Sequence, residues 1–410
     1  MVALTQQSAL DDEILDGLRA FLAAEVVARH ERHADLLESP HRVHDATGRY
    51  TPEVEQLMRE VRTASAEAGY YLMLAPVSMG GAALGHEALF LAWETIFREC
   101  GAKYWLGWYA VAHWTKGPSP LLEHLSPAVR DRHLPAIVSG ERTTCFAMSE
   151  PDAGSDAWMM RTRAVPIPGG WRLDGEKQWI SNAAHADLAI VFAVTDVEAA
   201  AARRGGITAF AVPTDTPGFD VFSVTRMFGQ AGGHEGIVQL AGVEVPDDHV
   251  LGEVGDGFRL ALLGVSLGRL YNAAKGVGLA RWALEKALAY VQERETFGKR
   301  VAEYQGITFP LAESAMEVHA ARLVGLDCAR KLDAGLPARM ELAMAKAYAT
   351  EAGARAVDRA MQAHGAMGFT NELALAEAWQ ALRSVLVADG SSEILRRTIL
   401  KQLLDGEREL

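Results

Sequence analysis

The apolar residues change period twice along the chain, and those two changes bound what it can fold into. Up to about residue 144 they recur at helical spacing, with Ile14, Leu15, Leu18, Phe21, Leu22 and Val26 on one stripe. Asp11 or Asp12 is the expected cap of that first helix. EALFLAWETIFREC is a further helical run, set among loops rich in Gly and Pro. From about Cys145 the period drops towards two. GWRLDGEKQWI alternates large residues around an expected turn at Asp174-Gly175, and LAIVFAV is a short buried-strand run. ITAFAVP, FDVFSV and GIVQLAGVEVP continue that texture to about Val250. After Gly255 the helical period returns and stays. Phe309, Met316, Ala320, Leu323 and Leu326 mark one face of a long helix; GLARWALEKALAYVQER, ARMELAMAKAYATEAGARAVDRAMQ and SSEILRRTILKQLL supply others, enough for a bundle. The expected fold is mainly α with a middle β domain. It divides into an N-terminal helical domain (1–144), a β domain (145–254) and a C-terminal four-helix bundle (255–410).

With 410 residues the chain has room for about two or three domains. Hydrophobic residues at 49% and charged residues at 23% are ordinary for a soluble globular chain. A formal net charge of −13 argues against nucleic acid, or an anionic membrane, held by bulk attraction. Cys100, Cys145 and Cys328 are far apart and odd in number. Neither a disulfide framework nor a CxxC metal site can be read from them, so the cytoplasm is the expected compartment. Asp11, Asp12 and Glu13 stand where a secretory leader needs a basic end and an apolar run. No apolar stretch is long enough to span a membrane.

Several familiar patterns fail on inspection. GVGLAR (Gly276–Arg281) has part of a dinucleotide fingerprint, but no strand precedes it and its third glycine is missing, so helix packing is the better account. His30 and His33 lack a third ligand nearby and read as solvated surface. HEALF at His86 lacks the second histidine of a zinc protease, and neither a GxSxG elbow nor a P-loop is present. No metal is expected.

FAMSEPDAGSD (Phe146–Asp156) lies where helices give way to strands. Its serines and glycine offer hydroxyl and unblocked N–H groups that suit a polar ring system or a phosphate. Downstream, KQWISNA places Trp179 and Ser181 at the end of a hairpin strand, an aromatic plane beside a small donor. Together these two runs resemble the acyl-CoA dehydrogenase family. So do RETFGKRVAEYQ (Arg294–Gln305), QAHGAMGF (Gln362–Phe369) and ADGSSEILRR, which occur in the family's order with its approximate spacing from about residue 10 to 404. Chance agreement of that many separated motifs is negligible.

The resemblance implies a helical domain, a β-barrel-like middle domain and a C-terminal four-helix bundle, with FAD as cofactor. It implies that Phe146, Met148 and Ser149 lie beside the isoalloxazine ring and that Trp179, Ser181 and Ser391 also contact the cofactor. Arg294, Thr296 and Phe297, with Gln305, Gln362, His364 and Gly365, match positions that hold the pyrophosphate and adenosine of a neighbouring subunit's FAD. A homo-oligomer, tetramer or dimer, follows from that sharing. Independently of the family, the planar fork of Arg294 suits phosphate oxygens. Ser155, Arg269 and Gly390 match positions that meet the acyl-CoA or flank its reacting end. The aromatic run YWLGWYAVAHW (Tyr104–Trp114) reads first as core filling, and by resemblance as the floor of an acyl pocket.

The family removes hydrogens from the α and β carbons of an acyl thioester, as in fatty-acid β-oxidation. A carboxylate takes the α proton, flavin takes the β hydrogen as hydride, and electrons pass on to an electron-transfer flavoprotein. A backbone N–H at or beside the base is implied as a donor to the thioester carbonyl. In most members the base is a glutamate before Gly-Thr or Gly-Ser; here Asp389 precedes Gly390 and Ser391. A minority place the base on the helix entered through GVSLGRLY, where this chain has Gly268 beside Arg269. That leaves Asp389, one methylene shorter than glutamate, as the expected base, with helix capping as its bland alternative. GGHEG (Gly232–Gly236) and ADGSSE resemble runs in family members ten and eleven, which also carry aspartate. A nitroalkane-oxidase-like flavin oxidase is the alternative activity, and a flavin monooxygenase of similar fold is discouraged because such relatives lack the carboxylate. A non-catalytic, DNA-binding homologue is disfavoured by the acidic charge, and no salt-sensitive DNA retention is expected. The acyl group itself is not legible.

Overall fold

The computed structural model describes residues 2–82, 84–228 and 235–406. In chain order the longer elements are α1 (Val2–Phe21), α2 (Pro52–Glu67), α3 (Gly85–Cys100), α4 (Pro127–Val138), β1 (Thr144–Ala147), β2 (Arg163–Ile167), β3 (Gly170–Ser181), β4 (Leu188–Val194), β5 (Ile207–Pro213), β6 (Phe219–Val224), β7 (Glu235–Pro246) and β8 (Val250–Leu251). They continue as α5 (Gly257–Glu293), β9 (Glu295–Thr296), β10 (Lys299–Arg300), α6 (Gln305–Asp333), α7 (Arg339–His364), α8 (Leu375–Val385) and α9 (Ser392–Leu404). Shorter helical turns join them. The two changes of period therefore appear in the backbone where the apolar pattern places them.

Three local expectations need correction. Helix α1 is already under way at Asp12, so neither acid caps it. The Ala, Leu and Gln residues ahead of it favour helix and carry the start back to Val2. Asp174-Gly175 is not a turn but an irregularity inside the continuous strand β3, where the register against β7 shifts between Leu173 and Gly175. The hairpin turns instead at Pro168-Gly169, between the paired residues Ile167 and Gly170. A side chain at Gly175 would meet the Thr162 hydroxyl at 2.5 Å, and Asp174 accepts from the Gly242 N–H at 2.8 Å. Finally, His30 is buried, not solvated, with its ring edge-on to Tyr104 at 5.2 Å.

By compactness the chain forms two units. One comprises residues up to Glu31, Leu84–Trp108 and the chain from Ser266 onward; the other comprises the chain from Arg32 to residue 82 and Tyr109–Val265.

The first unit is helical. Its α5 and α7 meet at glycines: a methyl group on Gly276 would reach the Ala349 carbonyl oxygen at 2.5 Å, and one on Gly353 the Gly276 oxygen at 2.6 Å. GVGLAR is thus a helix-packing run, as its context indicated. Glu94 on α3 is buried and held by Arg281 of α5 and Arg322 of α6, the latter at 2.8 Å. Helix α6 buries Leu311, Val318, Ala321 and Leu326. Phe309, Met316 and Leu323, expected on one face with Leu326, are exposed on it. The C-terminal segment also holds one helix more than the long runs indicated, the short α8.

In the second unit the strands form an eight-stranded sheet in the order β6-β7-β3-β2-β4-β5-β8, with β1 pairing in parallel on β4. Strands β4 and β5 are buried along their whole length, as near-continuous apolar runs should be. Leu173, Val191, Phe210, Val238 and Val243 are fully buried in the sheet's core. Each such side chain contributes about 1.5–3 kcal/mol by leaving water.

Candidate functional site

Asp389 sits between α8 and α9 with φ 51°, and Gly390 follows at φ 93°. A left-handed residue that is not glycine costs about 1–3 kcal/mol and persists only where its surroundings hold it. Aspartate tolerates this conformation better than most side chains. Three neighbours hold it here. Arg269 Nε donates to the Asp389 carbonyl oxygen at 3.2 Å, Asn272 Nδ2 to the carboxylate Oδ2 at 2.8 Å, and Lys346 Nζ to the Gly390 carbonyl oxygen at 2.8 Å. Helix α9 is capped by Ser391, whose hydroxyl accepts from the Ile394 N–H at 3.4 Å. Capping thus falls to Ser391. Gly268 is buried on α5 and offers no carboxylate at the second seat.

Burial pushes the Asp389 carboxyl up from 3.8 to about 6, against the opposing pull of Lys346, Arg269 and the Asn272 hydrogen bond. Burial likewise brings the Lys346 ammonium down to about 8. The N–H groups of Asp389, Gly390 and Ser391 meet no acceptor among the described residues. A carboxylate near neutrality beside unused N–H donors suits proton abstraction next to a carbonyl.

Asn272 and Lys346 were not singled out from sequence. Asn272 lies one helical turn beyond Arg269, and Lys346 is the one lysine in the largely apolar run MELAMAKAYA. A lone lysine in such a run is the signal that was there to be found, because a buried ammonium needs a partner. Replacing Lys346 with methionine is expected to raise the Asp389 carboxyl further and to lower stability by about 1–3 kcal/mol through the unpaired Gly390 carbonyl. Chemical denaturation and a pH-rate profile check both effects.

In the second unit, Phe146 lies on β1 with its ring against Trp114 and Phe192, each at 4.7 Å. Trp114 is buried, in keeping with core filling. Met148 and Ser149 follow, half-buried, while Ser155 is exposed further round the loop. The loop is anchored from below by Lys177, which is 0% exposed. Its Nζ donates to the Met148 carbonyl oxygen at 3.0 Å and to Glu150 Oε1 at 2.8 Å. Glu150 also accepts from the N–H groups of Arg161 and Thr162. Trp179 has φ 63° and is 50% exposed, so it is not a core residue. The Ser181 hydroxyl donates to the Glu235 carboxylate at 2.9 Å. Of the GGHEG run, Gly232–His234 lie outside the described residues, while Glu235 and Gly236 open β7.

In the helical unit, β9 and β10 form a tight hairpin whose turn is Phe297-Gly298, both with positive φ, at 50° and 75°. Phe297 is 94% exposed in that strained position. Arg294 is exposed ahead of it with no ion pair among the described residues. Thr296 is half-buried, and Gln305, Gln362 and Gly365 are exposed. His364 is buried, its Nδ1–H donating to the Ala360 carbonyl oxygen at 2.8 Å and its ring 4.5 Å from Tyr290. Within the helical unit, the Phe297 ring held open at a strained position and the unpaired Arg294 guanidinium gain nothing for the folded chain alone. They fit a ligand with a flat ring and phosphates. Among the described residues no group of three or more His, Cys, Asp or Glu side chains gathers as for a metal ion. No helix among them is long and apolar enough to cross a membrane.

The helical unit, the β unit and the sequence of each place the chain among the flavoprotein oxidoreductases. Family models match the chain in sequence: the acyl-CoA dehydrogenase N-terminal domain over residues 9–141, the middle domain over 145–243 and the C-terminal domain over 255–404. The chain belongs to the acyl-CoA dehydrogenase family, whose members are FAD-dependent oxidoreductases. It is 34% identical over 367 residues to the probable acyl-CoA dehydrogenase YngJ of Bacillus subtilis (strain 168), covering 89% of this chain and 93% of that one. It is 30% identical to the caffeyl-CoA reductase-Etf complex subunit CarC of Acetobacterium woodii, over 86% of this chain and 91% of that one. Among solved structures, an acyl-CoA dehydrogenase from Geobacillus kaustophilus superposes with a TM-score of 0.82 at 27% identity, covering 96% of this chain and 97% of that one.

Proposed function

We propose that the protein converts an acyl-CoA thioester to its trans-2-enoyl-CoA, with Asp389 as the base. The observation that carries this reading is Asp389 itself, a carboxyl raised to about 6 and held by three bonds in a left-handed turn that has no capping duty. The α C–H bond breaks with its proton passing to Asp389, the β C–H bond breaks with its hydrogen leaving as hydride, and the α,β double bond remains. Bound FAD supplies the acceptor for that hydride. Free N–H groups at 389–391 are donors for the thioester oxygen, on which charge develops as the proton leaves. Arg269 and Gly390 serve the reacting end of the substrate and Ser155 its pantetheine arm.

For FAD, we assign Phe146, Met148, Ser149, Trp179, Ser181 and Ser391 to contacts in the same subunit. Arg294, Thr296, Phe297, Gln305, Gln362, His364 and Gly365 are assigned to a neighbour's cofactor. The exposed row Phe309, Met316 and Leu323 on α6, seven residues apart, supports a homo-oligomer, tetramer or dimer. A relative whose name places it in a complex with Etf supports an electron-transfer flavoprotein as electron acceptor. The family's acyl-CoA chemistry supports a place in fatty-acid β-oxidation. Free, buried cysteines suit a reducing cytoplasm. For the domain division we keep 1–144, 145–254 and 255–410. Anaerobic titration of the yellow protein with a panel of acyl-CoAs and nitroalkanes tests the activity. Bleaching by an acyl-CoA is the expected result; bleaching by nitroalkanes alone would replace the dehydrogenase by an oxidase.

A further inference from the structure

We propose that Asn272 divides the labour between the two oxygens of Asp389: it holds Oδ2 as a fixed acceptor and leaves Oδ1 as the atom that takes the substrate's α proton. This inference rests on Asp389 being the base. Asn272 is 3% exposed, and its amide donates to Oδ2 at 2.8 Å, whereas Oδ1 meets no donor among the described residues. The two oxygens are therefore chemically unequal before any substrate arrives.

The geometry explains why such a residue is needed. A carboxylate on a short arm rotates freely about its last torsion, which has only broad preferences. Arg269 and Lys346 grip the main chain on either side of the turn, at the Asp389 and Gly390 carbonyls. Neither bond stops the carboxylate itself from turning. Asn272 does, and it stands one helical turn from Arg269 on the same face of α5. Proton transfer is sensitive to displacements of about 1 Å, and an aspartate has no spare methylene with which to correct its aim.

The choice of an amide also follows. A lysine or arginine bonded at that distance would stabilise the carboxylate strongly and weaken it as a base. A neutral amide orders the group at a smaller cost in proton affinity. When Oδ1 gains the proton, Oδ2 becomes the carbonyl-type oxygen and still accepts from Asn272, so the hold survives both protonation states. The charges facing this carboxylate are Arg269 from α5 and Lys346 from α7. Arg339 acts on Arg269 in turn, and Glu351 and Glu393 act on Lys346.

Asn272→Leu and Asn272→Asp form the test, measured as the pH dependence of flavin reduction by an acyl-CoA that bleaches the native protein. The Asp389 carboxyl is titrated in parallel by infrared difference spectroscopy. Loss of the donor is expected to move the acid limb and the carboxyl band upward by about one pH unit in the leucine variant. The aspartate variant, which adds a like charge, should move them further. The plateau rate should fall about 10–100-fold with little change in KM. A leucine variant with native limb, band and plateau would overturn the inference. If Asp389→Asn still reduces flavin at the native rate, the base assignment itself falls; if that variant is inactive and Asn272→Leu is native, only the present inference falls. Should the leucine variant not retain flavin, Asn272→Ala, which is smaller than the native residue and has no side-chain donor, carries the same comparison.

Discussion

Replacing Asp389 with asparagine is expected to slow flavin bleaching by an acyl-CoA about 10³–10⁴-fold while the protein stays yellow and folded. Asparagine shares aspartate's tolerance of positive φ, so the strained turn at 389 remains available to it. The Arg269 bond is to the residue-389 carbonyl and the Lys346 bond to that of Gly390, so both survive the exchange. What is lost is the capacity to accept a proton. Stopped-flow reduction measures the rate, and retained absorbance with a native melting profile measures the fold; an unchanged rate removes Asp389 from its role. The pH profile provides a second check. Only the ionised carboxylate is a base, and burial raises its carboxyl from 3.8 to about 6, so the native rate should fall about tenfold per unit below pH 6. The asparagine variant should lack that limb. Stability runs the other way: a carboxyl raised by folding favours the native state when protonated. Its contribution is complete below about pH 3.8 and disappears as pH rises through about 6.

The second large effect is one of stability. Lys177→Met is expected to destabilise the β unit by about 3–5 kcal/mol, because it leaves the buried Glu150 charge without its cation and the Met148 carbonyl without its donor. Burial already draws the lysine down to about 8. Burial would push Glu150 upward, yet the Lys177 ammonium and the hydrogen bonds from Lys177, Thr162 and Arg161 outweigh it, and its carboxyl lies below the usual range. Because Phe146–Ser149 rest on this pair, loss of FAD is expected alongside the lower melting temperature. Adding Glu150→Gln should restore part of the stability. It removes the unpaired charge, while the amide oxygen can still accept from one of the two N–H groups, of Arg161 or Thr162, that bond separate carboxylate oxygens. A double variant no more stable than Lys177→Met would show that the ion pair is not what holds the loop.

Much of this molecule was legible from residue order because burial obeys period. LAIVFAV and ITAFAVP became fully buried strands, and the long apolar runs after Gly255 became helices. Asp389 was singled out from residue order as the acid ahead of Gly-Ser-Ser, and its place between two helices came with the fold. Trp179 was ambiguous by composition; its half-exposed ring and positive φ came only with coordinates. The Asp174-Gly175 turn was misplaced because the dipeptide's local preference is outweighed by the long pairing of β3 with β7, which absorbs it as a bulge.

Residue order determined the two changes of hydrophobic period, the family motifs and the identity of the single acid ahead of Gly390. The fold alone decided that Asn272, 117 positions away in sequence, bonds one oxygen of Asp389. It also decided that Lys346 closes the turn from a third helix and that Ser391, not Asp389, caps α9. The reason is physical: periodicity records how each segment meets its neighbours on average, whereas base strength depends on which donors reach one carboxylate within about 3 Å. That distance exists only once separate helices have packed.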